Sequence, residues 1–108
     1  MRRHWFFILL SLAERDRHGS GIVRDVLELT GGELRLWPVT LYGSLDELAD
    51  EGYIKELPAP PPDAEVTSDR LRWFRITASG RKGLSNEVAR MQATARVATE
   101  RLAQARSR

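Results

Sequence analysis

At 108 residues, with 42% hydrophobic and 30% charged side chains, the chain has room for one domain and a modest core, with little apolar surface to spare. It has no cysteine, which excludes disulfides, thiolate metal ligands and thiol nucleophiles, and its two histidines, His4 and His18, do not make a metal site by themselves. The formal net charge of +2 permits a nucleic-acid partner without pointing to one.

The chain opens on two arginines and an apolar run from Trp5 to Leu10. That run is far short of the ~18 residues a membrane span needs, and Glu14, Arg15 and Asp16 follow at once, so neither a span nor a secretion signal is expected. The expected location is the cytoplasm. From His4 to Arg15 the pattern is a helix that is apolar nearly all round, so it should be covered on more than one side, in part by a partner chain. Asp16-Arg17-His18-Gly19 reads as a polar turn with His18 capping it, and Ile22, Val23, Val26 and Leu27 mark one face of a second helix that Gly31-Gly32 stops. Leu34-Arg35-Leu36 alternates like a small strand.

Pro38 suits the first turn of a third helix, where a missing N–H costs nothing. Leu41, Leu45 and Leu48 form its buried stripe, which leaves Thr40, Gly43, Ser44, Glu47 and Glu51 on the outward face. Gly52 ends it. Tyr53 to Leu57 and Leu71 to Ile76 read as the two strands of a hairpin, and Pro58, Pro60, Pro61 and Pro62 stiffen the loop between them. Thr77 can cap a last helix whose apolar residues, Leu84, Val88, Met91, Ala95, Ala98, Leu102 and Ala105, alternate in steps of four and three. That is a heptad seam, and with Trp5 and Leu9 of the first helix it makes a homodimer interface. Trp5, Trp37 and Trp73 are expected in the core or at that interface. The order of elements predicts a mostly α fold with a small β-hairpin (α+β): a winged helix-turn-helix over residues 1–77 followed by a dimerisation helix over 78–108.

These residues resemble the PadR family of bacterial transcriptional regulators, small winged-helix dimers. The resemblance runs from about Leu9 to Leu84 and rests on several short motifs. They are His18-Gly19 at the first turn, Gly32-x-Leu34-x-Leu36 before the third helix, and Thr40-Leu41-Tyr42 within it. Leu45, Leu48, Gly52 and Ile54 continue the pattern, and Arg75-Ile76-Thr77 through Gly80-Arg81 closes it. The single long last helix is similar to the short subfamily, which dimerises through it. The chain departs from the pattern where Trp37-Pro38-Val39 stands for the usual Ser-Pro-Gly and where Ser20 follows His18-Gly19 in place of tyrosine. It also lacks any aromatic residue after Phe74, unlike members that trap flat aromatic drugs at the dimer interface.

The resemblance implies a dimer whose third helices read a palindromic double-stranded DNA operator, half-sites about one helical turn apart, as a repressor relieved by a small-molecule effector between the first and last helices. The charge pattern locates the contacts more finely. Asp46, Glu47, Asp50 and Glu51 would repel phosphates, so only the first turn, with Val39, Thr40, Tyr42 and Ser44, is fit to touch DNA, Val39 against a thymine methyl. Positive charge gathers instead at Arg70, Arg72, Arg75, Arg81 and Lys82, opposed locally only by Asp69, with Lys55 on the partner strand. Lys55, Arg70 and Arg72 are therefore the candidate backbone contacts. A competing reading makes the acidic helix face a dock for a basic protein partner. An enzyme is not expected, since no phosphate-cradling glycine loop, metal-ligand cluster or serine–histidine–acid spacing occurs, and no cofactor is implied.

Overall fold

A computed structural model describes residues 1–64 and 70–106. Its elements run α1 (Arg3–Glu14), β1 (Arg17–His18), α2 (Gly19–Leu29), α3 (Pro38–Asp50), β2 (Ile54–Leu57), β3 (Trp73–Ile76) and α4 (Ala78–Arg106). The mostly helical α+β fold with a long last helix is as expected. The sheet, however, is three-stranded and antiparallel in the order β1-β3-β2.

Its third strand is not where alternation placed it. Leu34, Arg35 and Leu36 form no strand; Leu34 and Leu36 are buried and Arg35 is exposed because the segment crosses the core. The extra strand is Arg17-His18, set against β3 with Arg17 opposite Phe74 and His18 opposite Trp73. Two polar residues carry no strand periodicity, so tertiary pairing alone makes them one.

The centre of the core is α1. Ile8, Leu9, Ser11 and Leu12 are buried against Ile22 and Val26 of α2, Leu41, Leu45 and Leu48 of α3, Ile54, Phe74 and Ile76 of the sheet, and Leu84 of α4. Each fully buried aliphatic side chain contributes roughly 1.5–3 kcal/mol, so this small cluster carries most of the fold. The domain thus covers one side of its apolar first helix from within, while Trp5, Phe6, Phe7 and Leu10 stay half-buried. Leu9, 0% exposed, and Leu84, 8% exposed, belong to the protomer's own core and offer no surface to a partner, which corrects their assignment to the dimer interface.

α3 ends as its sequence requires. Gly52 lies at φ +78°, its N–H reaches the Ala49 carbonyl at 2.9 Å, and the Tyr53 N–H reaches that of Leu48 at 2.9 Å, satisfying two of the helix's last carbonyls. The chain then enters β2. Across from it, the Thr77 Oγ1 accepts from the Gly80 N–H at 3.0 Å and donates to the Gly52 carbonyl at 2.6 Å, so one hydroxyl caps α4 and ties it to the end of α3. Gly80 lies tight on the wing root: a Cβ there would sit 2.1 Å from the Tyr53 carbonyl oxygen.

With 29 residues, α4 is about 44 Å long at 1.5 Å per residue, and the molecule's longest extent is 62 Å. The helix outruns the body. Val88 is half-buried, whereas every residue from Ala89 to Arg106 is exposed, Met91 by 51% and Leu102 by 68%.

Candidate nucleic-acid interface

The first turn of α3 is presented outward. Trp37 holds the N-cap position with no side-chain cap, and Pro38 follows with no N–H to give, so the earliest free backbone donors are those of Val39 and Thr40. Thr40 is exposed and Val39 is 88% exposed. Helix N–H groups, a partial positive charge and a hydroxyl therefore meet on one open turn, which suits a phosphate or a base edge.

Ser44 does not join them. It is 7% exposed and lies on the buried stripe Leu41-Ser44-Leu45-Leu48, the three- and four-residue spacing that faces the core. Its polarity suggested the outward face; its position decides otherwise. Trp37 departs from expectation in the opposite direction, since it is neither core nor covered but 63% exposed, with the Arg35 guanidinium 5.0 Å from its ring centre. Trp73 is buried as expected, and Trp5 is half-buried edge-on to Tyr53 with ring centres 6.2 Å apart.

Tyr42 is half-buried, wedged between α2 and the wing. A Cβ on Gly19 would lie 2.6 Å from the Tyr42 hydroxyl, so the ring rests on the bare backbone of α2. On its other side stands Arg72, 5.3 Å from the Tyr42 ring and 5.4 Å from that of Phe74, held by two hydrogen bonds to Glu56 of 3.2 and 2.9 Å. The Arg72 hydrogen bond holds the Glu56 carboxyl below its usual range, and the reciprocal bond raises the guanidinium's already high pKa. Arg72 is a strut between α3 and the wing rather than a loose cation.

The other wing charges divide similarly. Arg75 is bonded to both carboxylate oxygens of Asp16 at 3.0 and 2.7 Å, fastening β3 to the turn after α1, and Arg81 reaches the Ala13 carbonyl at 3.3 Å. Beyond Asp69, the one acid expected nearby in sequence and itself outside the described residues, the fold brings Glu56 and Asp16 to these cations from 16 and 59 residues away. Lys55 and Arg70 are exposed. The acids of α3, Asp46, Glu47, Asp50 and Glu51, are exposed as expected, with Glu47 paired to Arg2.

His18 caps α2: its Nδ1 accepts from the Gly21 N–H at 3.2 Å, and its ring stands edge-on to Trp73 with centres 5.0 Å apart. Burial, helped by the nearby charge of Arg24, pushes its pKa below the usual value. Two surface cavities flank α2. One of about 490 Å³ lies between the turn after α1 and the wing loop, lined by His18, Arg24 and Trp73 among others; one of about 330 Å³ lies between α2 and the start of α3, lined by Val23, Arg35, Trp37 and Tyr42 among others. Neither lies between α1 and α4. A cation that sequence reasoning left out of the candidate contacts is Arg35. Its alternation with Leu34 and Leu36 already placed it on the exposed side, directly beside the start of α3.

A three-stranded sheet with a wing, three packed helices whose third presents its N-terminal turn, and a long projecting helix define a winged helix-turn-helix regulator. The model of the transcriptional regulator PadR-like family matches residues 8–86, and the chain belongs to that family. Among solved structures it is similar to a transcriptional regulator from Clostridium thermocellum, 25% identical over 90% of this chain and 87% of that one, with a TM-score of 0.72. A PadR family transcription regulator from Clostridium difficile shares the fold at 20% identity and TM-score 0.77, with 94% and 99% of the chains covered. Bacillus subtilis PadR, solved in complex with operator DNA, shares it at 22% identity and TM-score 0.64, over 81% of this chain and 47% of that one. A search of curated sequences returned no match. The family is one of transcription regulators and not of enzymes, and among the described residues no helix is long and apolar enough to cross a membrane and no group of side chains is arranged to hold a metal.

Proposed function

We propose that this regulator binds a palindromic double-stranded DNA operator as a homodimer and acts in the cytoplasm as a repressor. The observation that carries the reading is the first turn of α3, where uncapped N–H groups, Val39 and Thr40 stand open beside Arg35. The wing cations Lys55 and Arg70 are exposed and would follow the backbone, while Arg72 and Tyr42 fix the angle between wing and helix. The Bacillus subtilis relative solved with its operator supports the same use of the fold.

In this reading residues 1–77 contact DNA and residues 78–108 pair two protomers. Met91, Ala95, Ala98 and Leu102 supply the seam and are uncovered within the protomer, with half-buried Val88 and Trp5 at its near end. Alanines at the seam let helices approach closely while burying less than leucines would. Val88→Glu with Leu102→Glu should convert the dimer to monomer by light scattering; a dimer that survives both places the interface elsewhere. A small-molecule effector between α1 and α4 would relieve repression by altering the spacing between the two wings.

The acidic face of α3 favours a second reading, docking of a basic protein. Asp50→Lys with Glu51→Lys separates the two, since both acids are exposed and Glu47 is already engaged by Arg2. Tighter DNA binding supports the operator reading. Loss of a basic protein partner with DNA binding unchanged supports docking.

A further inference from the structure

An indole is costly to leave in water, yet Trp37 is 63% exposed and begins a run of exposed residues, Trp37-Pro38-Val39, at the very start of α3. The ring is not adrift. The Arg35 guanidinium lies 5.0 Å from its centre, and Leu36, Pro38 and Leu41 share with it the wall of the groove against α2. A cation held on a large apolar surface, beside a positive helix end, is matched by a surface both anionic and locally apolar. In a DNA major groove the apolar feature is the C5-methyl of thymine, and a phosphate lies on either side of it.

Resting on the DNA-binding reading above, we infer that Trp37 is a specificity-determining residue: its indole covers a thymine methyl at a fixed position of each half-site, while Arg35 holds the ring and faces the adjoining phosphate. Val39, 88% exposed and two residues further along, reads a neighbouring position rather than the same one.

The test uses the full chain and duplexes selected from a random-sequence library by the wild-type protein. The wild type should enrich thymine at one fixed position per half-site. Replacing that thymine with uracil, which removes only the methyl, should weaken wild-type binding about four-fold, the value of one buried methylene-sized group. Trp37→Ala should bind the thymine and uracil duplexes alike, and Trp37→Phe should keep part of the preference. Discrimination unchanged in Trp37→Ala, or guanine and cytosine at every fixed position, would overturn the assignment. If the wild type enriches no sequence at all, the DNA-binding reading fails first and takes this inference with it.

Discussion

The Tyr42 hydroxyl occupies the space that a side chain on Gly19 would need, 2.6 Å from the position of its missing Cβ. This contact sets the spacing between α2 and α3, and through the Tyr42 ring it sets where Arg72 and the wing can stand. Gly19→Ala should therefore destabilise the fold by about 1–2 kcal/mol, since crowding a packed contact outweighs the helix-propensity gain of alanine, of about 1 kcal/mol at most. Adding Tyr42→Phe removes the crowded oxygen and should recover most of that loss. Urea melts of the two single variants and the pair would show it.

Gly80 is a harder case. Its Cβ would meet the Tyr53 carbonyl oxygen at 2.1 Å, and that oxygen already accepts the Thr77 N–H at 3.0 Å. Backbone cannot step aside as a side chain can. Gly80→Ala should cost about 3 kcal/mol or prevent folding, while Gly83→Ala, whose nearest neighbour is the Tyr53 ring at 3.4 Å, should be near neutral. Thermal melts of both variants distinguish a local clash from a general intolerance of α4 to alanine.

Ser44→Ala should leave affinity for DNA within two-fold, because Ser44 is 7% exposed on the core side of α3. Thr40→Ala, on the open first turn, should weaken it several-fold by removing one hydroxyl contact, on the order of 1 kcal/mol. A gel-shift titration of the two variants on one duplex makes the comparison.

Acid should weaken the fold through His18. Its folded-state pKa is lowered, first by burial and then by Arg24, so its neutral form is preferred in the native protein and supplies the Nδ1 acceptor that caps α2. Unfolded chains bind the proton first as pH falls through about 6.5, and this stabilisation is then lost as pH drops through the lower native value. Stability falls with falling pH in that window. His18→Asn keeps an N-cap acceptor without a titrating group, and should flatten the slope measured by denaturation between pH 7 and 5.

Much of this architecture was legible in the sequence because it is written in local signals. Pro38 and Gly52 bound α3, Thr77 begins α4, and the spacing of Leu41, Leu45 and Leu48 finds the buried face. What was not legible depends on partners distant in the chain. Arg17-His18 becomes a strand only because β3 lies beside it, and Arg72 and Arg75 are neutralised by acids that no window of sequence contains. Ser44 and Trp37 exchanged their expected places because residue type was weighed over position. A serine fits a core stripe when the spacing demands it, and a tryptophan at a helix cap has no core to enter.

The central claim, that this is a dimeric reader of DNA sequence, is tested most directly by a salt titration of binding to the DNA upstream of its own gene and to an unrelated duplex. Arg35, Lys55 and Arg70 on two protomers, each neutralising one phosphate, predict a slope of log affinity against log salt of about −5 on the specific site. The unrelated duplex should bind at least a hundred-fold more weakly at physiological salt. Equal affinity for both duplexes across the whole salt range would contradict the account.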